Sequence, residues 1–391
     1  MRPSYTSSSS ATPIWLDCDP GHDDVVAILL SAFHPALKLL GLSTVHGNAS
    51  LKNTTHNASR VLTALGLTDI PIYPGARKPF CRRAAYAPSI HGATGLDGTT
   101  LLPKPGVTPR ENENYIVAMR DALLAQPRNS AWVVTTGTLT NVAILFAAFP
   151  EVVDHIKGLS IMGGAIGDGF SDAPLGVVKG EGPRVGNWTR WAEFNIYCDP
   201  EAAQSIFTNP VLAAKTTLIP LDLTHQVLAT PEVLQLLLHG PSSSSSSTGS
   251  AAAAGESAIK PKPSGLRQLL YDLLTYFAHT YAEVFGLTAG PPLHDPLAVA
   301  ATLPAAVLLE DAAPAFDDRG GERWFIDVVT DGLHSNSDQE RGQVGRTIAR
   351  KLPPGEPGVT VPRTLDVPKF WEVLEHCIHR AESSAIPELR G

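Results

Sequence analysis

Apolar residues recur along this chain in short continuous runs rather than in strict alternation. Ile14 to Asp19, Leu37 to Val45, Ile70 to Tyr73, Ala131 to Thr136, Leu159 to Met162 and Thr216 to Leu223 each read as a buried strand. The segments between them carry helical spacing. Asp23 to Phe33, with Val25, Val26, Ile28, Leu29 and Leu30, predicts a helix buried on more than one face. Asn53 to Leu65 and Leu139 to Ala148 predict two more, and another opens at Pro231, a favourable first helical position. Leu266 to Phe285 resumes helical spacing, Trp324 to Thr330 reads as a further strand, and Lys369 to Ala381 as a terminal helix. Strands separated by helices predict βαβ units. The expected fold is therefore α/β, one large domain over residues 13–391 with a mostly parallel central sheet flanked by helices.

Three stretches break this pattern. Residues 1–12 form a Ser-rich segment, expected to be a disordered tail. Residues 241–264 contain six consecutive serines and a four-alanine run. Such a composition buries too little apolar area to offset its ordering entropy, which predicts a flexible insertion. It is read as an insertion rather than a linker because helical spacing resumes at Leu266 with no new Gly-rich strand start. Gly167 to Gly186 is irregular, with Gly and Pro throughout.

Composition narrows the function classes. At 391 residues with 43% hydrophobic and 17% charged, the chain has material for a sizeable core. Thirty basic against thirty-eight acidic side chains leave a net charge of −8, which argues against nonspecific nucleic-acid binding. The one basic cluster, Arg77-Lys78 with Arg82-Arg83, reads as a solvated loop. Cys18, Cys81, Cys198 and Cys377 have no CxxC spacing, so neither a zinc site nor a disulfide framework is expected. No secretory apolar region and no run long enough to span a bilayer is visible. The expected setting is the cytoplasm, without a membrane or nucleic-acid partner.

The strongest chemical signal is Asp17-Cys18-Asp19-Pro20-Gly21-His22-Asp23-Asp24, where an apolar strand meets a helix start. In parallel sheets, ligands bind beyond the carboxyl ends of the strands. First-turn capping accounts for one or two of these carboxylates, but not for Asp19 as well. Crowded like charges raise pKa values or call for a cation, and an all-oxygen set favours a hard one, Ca²⁺ or Mg²⁺. His294-Asp295 precedes a helix at Pro296, where Asp295 reads equally well as an N-cap. Asn187, Glu193 and Asn195 offer donors and acceptors suited to sugar hydroxyls, the last two pointing the same way on an extended segment. Thr136-Gly137 ends a strand and frees a carbonyl, Met162-Gly163-Gly164 ends another, and Gly47-Asn48 follows a third.

Together these segments resemble the inosine/uridine-preferring nucleoside hydrolase family. The matches run in order: DCDPGHDD at 17–24, VHGN at 45–48, HGATGLDG at 91–98, TTGTLTNVA at 135–143, IMGGA at 161–165, GNWTRWAEFNIYCDPEAA at 186–203 and HDPLAV at 294–299. The resemblance implies calcium-dependent hydrolysis of the N-glycosidic bond of ribonucleosides, with uridine or broad preference, by a homo-oligomer, dimer or tetramer. By position it implies Asp19, Asp24, Asp295 and the Thr136 carbonyl as calcium ligands, with Asp19 also deprotonating a calcium-held water. Asp23 matches the residue that holds the ribose 2′-hydroxyl, and Asn48, Met162, Asn187, Glu193 and Asn195 match the ribose pocket. His294 matches a leaving-group histidine, and His91 a base-side position. A helix over Tyr271 to Phe285 is expected to close the base pocket, with Tyr281 as its base contact. The alternatives are a purine-preferring hydrolase, or a magnesium-dependent phosphohydrolase of the haloacid-dehalogenase type. The latter also opens with Asp-x-Asp after a strand but leaves the AEFN and HDP segments without a role.

Overall fold

The apolar runs pair into one six-stranded sheet in the computed structural model, which describes residues 11–241, 262–304 and 312–390. Its strands are β1 (Thr12–Cys18), β2 (Leu37–Thr44), β3 (Ile72–Pro74), β4 (Trp132–Thr135), β5 (Gly158–Met162) and, beyond a small hairpin of β6 (Gly176–Val178) and β7 (Gly182–Arg184), β8 (Thr216–Ile219). The order is β3-β2-β1-β4-β5-β8, and every neighbouring pair is parallel. The chain winds outward from β1 in both directions, so the topological switch lies between β1 and β4. There the connections diverge and leave a crevice at the carboxyl ends of the strands.

Each strand is buried on both faces, which is why the runs are continuous rather than alternating. Along β1, Ile14, Leu16 and Cys18 pack into one apolar core, and Trp15 points into another. The first core holds the helices His22–Phe33, Leu51–Ala64, Gly265–Phe285, Asp295–Ala300 and Val367–Ser384. The second holds Tyr115–Leu124, Thr140–Ala148 and Pro200–Phe207. Side-chain caps mark the helix starts: Ser50 accepts from the Asn53 N–H, and Ser264 from the Arg267 N–H. No helix among the described residues is long and apolar enough to cross a membrane.

The structure corrects several expectations. The run Thr216 to Leu223 is not one strand. Pro220 cannot donate to the ladder, so β8 stops at Ile219 and Leu221–Thr224 coils into a short helix. The stretch Gly167 to Gly186 holds the β6–β7 hairpin. Thr12 already lies in β1, and the remainder of the proposed 1–12 tail is almost wholly outside the described residues. So is most of the proposed insertion 241–264, although Ser264 is the cap of the long helix. Arg82 is not solvated: its guanidinium pairs with Glu201 at 2.7 Å and donates to the carbonyl oxygens of Thr330 and Gly332.

The long helix Gly265–Phe285 is tied to the C-terminal helix by a buried ion-pair group. Arg267 meets Glu375 at 2.5 Å and Glu382 at 2.9 Å, and donates to the Leu237 carbonyl at 2.8 Å. Removing one partner of a buried pair leaves the other charge poorly compensated, at a cost of about 3–5 kcal/mol. Glu382 remains in Glu375→Ala, so a loss near about 3 kcal/mol is expected in urea unfolding. The double variant Arg267→Met/Glu375→Leu should recover most of it. Equal stability of Glu375→Ala and wild type would show that the pair contributes nothing.

Candidate active site

The switch point between β1 and β4 is where the carboxylates gather. β1 ends at Cys18, Asp19-Pro20-Gly21 makes the turn, and the next helix begins at His22. Asp24 closes that first turn by accepting from the Gly21 N–H at 2.8 Å, and its other oxygen accepts from the Thr136 hydroxyl at 2.8 Å. Asn48, just past β2, clamps two of the acids. Its N–H donates to Asp19 Oδ2 at 2.6 Å, and its amide donates to the Asp19 carbonyl at 3.1 Å and to Asp24 Oδ2 at 3.2 Å. Asp23 Oδ2 accepts from the backbone N–H groups of His294 and Asp295, both at 3.3 Å. Asp23, Asp24 and Asp295 bring carboxylate oxygens within 4.8 Å of one another.

Asp19 sits in a cradle that side chains would fill. A Cβ added at Gly47 would lie 2.0 Å from its Oδ2, and one at Gly137 would lie 2.5 Å from its Oδ1. Its Oδ1 is buried without a partner. All four acids are buried, and none is ion-paired to Lys or Arg among the described residues. Burial pushes each carboxyl up, and the neighbouring carboxylates push Asp19, Asp23 and Asp295 further. Asp23 is raised to about 7. Such a group must bind protons or a cation. An all-oxygen donor set with an orphaned, cradled oxygen fits a hard divalent ion.

Above the acids lies a pocket. Asp23, Asn48, Thr136, Met162, Asn187, Glu193, Asn195 and Asp295 line its polar part; Ile90, His91, Phe277, Tyr281, Phe285 and His294 line its aromatic end. The residues named from the sequence therefore converge, with Asp19 and Asp24 set outside the pocket lining. Asp17 is separate: it accepts from Ser43 and, at 2.7 Å, from Asn141, and burial raises it to about 7.

Several local readings change. Glu193 and Asn195 are not on an extended segment. Glu193 caps the helix Phe194–Cys198, and its carboxylate accepts from the N–H groups of Gly164, Asn195 and Ile196 at 2.8–3.0 Å. The Thr136 carbonyl is not free, since it accepts from the Asn195 amide at 2.8 Å; one lone pair stays open. The helix at 295–300 starts one residue earlier than expected, and no side chain caps it, so the Asp295 carboxylate is not used as a cap. Asn187 is placed in the pocket wall by accepting from the Phe194 N–H at 2.9 Å.

At the aromatic end, His294 is bonded through both nitrogens, to the Tyr281 hydroxyl and the Thr224 hydroxyl, each at 2.7 Å. Burial holds His294 well below its ordinary value and Tyr281 well above. Phe277, Tyr281 and Phe285 recur four residues apart and present one face of the long helix. Sequence reasoning missed Phe277, Phe285, His22 and Thr224. The i, i+4, i+8 spacing of the three aromatics was the one signal available, and it equally describes a core stripe.

With this geometry in place, comparison with known proteins is specific. The family model described as inosine-uridine preferring nucleoside hydrolase matches residues 14–372. The uridine nucleosidase of Saccharomyces cerevisiae is 37% identical over 377 residues, 95% of this chain and 97% of that protein. The pyrimidine-specific ribonucleoside hydrolase RihB of Escherichia coli is 32% identical over 93% of this chain and 96% of its own. Among solved structures, a purine-preferring ribonucleoside hydrolase from Gardnerella vaginalis superposes with a TM-score of 0.70 at 23% identity, covering 94% of this chain and 99% of that one.

Two outcomes test the acidic site directly. Gly137→Ala should displace Asp19 and weaken divalent-cation binding, measured by calorimetry, while the circular dichroism spectrum stays unchanged. Unaltered affinity would show that the Asp19 oxygen does not face the cation. Carboxyls raised on burial hold protons that a cation must expel. Asp23, near 7, is protonated below that pH, so affinity should fall as pH drops through 7 and binding should release protons. Calorimetry in buffers of different ionisation enthalpy measures that release; none at pH 6.5 would contradict the raised values.

Proposed function

Because this chain belongs to the inosine-uridine preferring nucleoside hydrolase family, and so hydrolyses N-glycosyl bonds of ribonucleosides, we propose that it does so with calcium and prefers uridine. The observation that carries the calcium reading is the group of Asp23, Asp24 and Asp295, with Asp19 beside it, buried beneath the pocket without Lys or Arg partners among the described residues. Asp19, Asp24, Asp295 and the open lone pair of the Thr136 carbonyl would hold the ion. A bound calcium ion would supply the positive charge that acidifies a water and orients it under the sugar. The uridine preference is supported by the likeness over nearly the whole chain to the yeast uridine nucleosidase, and the likeness to RihB supports a pyrimidine base more broadly.

In this reading Asp19 acts as the general base. Its Oδ1 has no partner among the described residues and its affinity for a proton is raised, so it takes the proton from the attacking water. Asp23 accepts from the ribose 2′-hydroxyl, and Asn48, Met162, Asn187 and Asn195 complete the sugar pocket. Cleavage builds oxocarbenium-like positive charge on the ribose. The Glu193 carboxylate, held by three backbone N–H groups, lies against that charge. The base departs poorly as an anion, and His294 and Tyr281, which line the pocket, face it. Burial favours neutral His294, so each turnover draws on a proton taken up from solvent, which the departing base accepts and which leaves the imidazole neutral again.

A reducing-sugar assay across uridine, cytidine, inosine, adenosine and guanosine tests the reading, run with and without chelator while metal content is measured. Uridine should be the best substrate, chelation should abolish turnover, and Ca²⁺ should restore it. Full activity in demonstrably metal-free protein would refute the calcium assignment. Asp19→Ala should lower kcat by several orders of magnitude with the fold retained; a tenth of wild-type rate would rule out its role. His294→Ala should lose about 10²–10⁴-fold on nucleosides, the usual worth of general acid catalysis. On 4-nitrophenyl riboside, whose leaving group needs no proton, it should keep most of its rate. Equal losses on both substrates would mark His294 as scaffold.

A further inference from the structure

The β6–β7 hairpin packs against the long helix Gly265–Phe285, and its last residue reaches the segment that carries Asn187. That residue is Arg184, paired across the hairpin with Gly176. Its side chain is buried, with 8% exposed. Nη2 donates to the carbonyl oxygens of Asn187 at 2.9 Å and Trp188 at 3.4 Å, and Nη1 pairs with Glu181 at 2.9 Å. The guanidinium carbon stands 5.9 Å from the centroid of the Phe285 ring, within reach of a cation–π contact. Asn187, Trp188 and Phe285 all line the pocket, whereas Arg184 does not.

The gripped segment has little slack. A Cβ at Gly186 would stand 2.3 Å from the Ala192 carbonyl oxygen, so the turn that joins Arg184 to Asn187 is tightly closed. Forward bonds hold the same segment: the Trp188 N–H donates to the Ala192 carbonyl at 3.1 Å, and Asn187 Oδ1 accepts from the Phe194 N–H at 2.9 Å. A backbone N–H only donates, so the oxygen of the Asn187 side chain is the atom committed there, and its amide nitrogen is left for the pocket. Arg184 adds the hold from the hairpin side, and through Phe285 it meets the aromatic wall as well.

We propose that Arg184 is a positioning residue: it sets the backbone of Asn187 and Trp188 against Phe285 and thereby aims the Asn187 amide nitrogen at the sugar. This rests on the reading of Asn187 as part of the sugar pocket. A role confined to holding the hairpin together has a different signature. Replacing a buried ion pair member by an apolar side chain of similar length leaves stability little changed when the partner stays hydrated, and Glu181 is 46% exposed. Loss of aim, in contrast, costs rate without costing stability, because a binding group displaced by about 1 Å loses up to about a hundredfold.

Kinetics, thermal melts and NMR on the full-length protein test this. Arg184→Met should melt close to wild type and lose about tenfold to a hundredfold in kcat/KM for uridine. The double variant Arg184→Met/Asn187→Ala should be no slower than Asn187→Ala alone, because Arg184 acts through Asn187. Glu181→Gln keeps both carbonyl bonds and should keep the wild-type rate. Full activity of Arg184→Met, additive losses in the double variant, or a melting point far below wild type would each overturn the proposal, the last by marking Arg184 as scaffold. In ¹⁵N-tryptophan-labelled protein, the Trp188 indole signal, assigned by its loss in Trp188→Phe, should move in Arg184→Met and stay in place in Glu181→Gln. An unmoved signal in Arg184→Met would also overturn the proposal. Failure of the wild type to hydrolyse any nucleoside would instead strike the functional reading, and the Trp188 signal would still decide whether Arg184 holds this segment.

Discussion

Four carboxylates buried together, with no Lys or Arg paired to them among the described residues, are the constraint around which this molecule is organised. Asp19, Asp23, Asp24 and Asp295 come from two chain segments far apart in sequence, and folding itself forces them together. The parallel sheet brings the ends of β1, β2 and β4 side by side, and the helix Asp295–Ala300 packs against the helix that follows β1. The backbone answers with N–H groups from Gly21, Asn48, His294 and Asp295, and the side chains of Asn48 and Thr136 add two more donors. These are partial charges. They orient the oxygens but do not neutralise them, so the site retains a strong affinity for protons or a divalent ion. Glycine at 47 and 137 follows from the same constraint, because any Cβ there would occupy the space of the Asp19 carboxylate.

The aromatic end of the pocket is built by different means. Phe277, Tyr281 and Phe285 ride on one helix, whose first turn is held by Arg267 against two glutamates and whose last turn ends at Gly286 in the left-handed region. That helix packs on the His22–Phe33 and Pro231–His239 helices, and its Tyr281 reaches His294, whose backbone N–H bonds Asp23. The seating of the helix on those two neighbours therefore sets how the aromatic wall stands to the acidic floor.

Much of this was legible in the sequence because the two signals that carry it are local. Continuous apolar runs mark doubly buried strands, and the acidic octapeptide from Asp17 to Asp24 marks the strand end where a ligand binds. The parallel sheet, the convergence of Asp23, Asn48, Glu193 and Asp295, and the family follow from those. What was not legible depends on contacts between distant segments. Nothing near Arg82 announces Glu201, 119 positions away. Thr224 lies just past a run read as a strand to Leu223; because Pro220 ends that strand, the chain coils there and the Thr224 hydroxyl reaches His294. The extended reading of Glu193 failed because its side chain folds back on the following backbone as a cap, an option that period-two reasoning does not contain.

The acidic floor and the histidine-bearing wall carry opposite shifts. Burial raises the carboxyls and lowers His294, His22 and His91, in each case against the charged form. The His225 ring beside His294 lowers it further. Buried acids stay charged only where a cation compensates them, whereas neutral imidazoles need no partner charge. One buried pocket therefore favours a cation at one end and uncharged rings at the other.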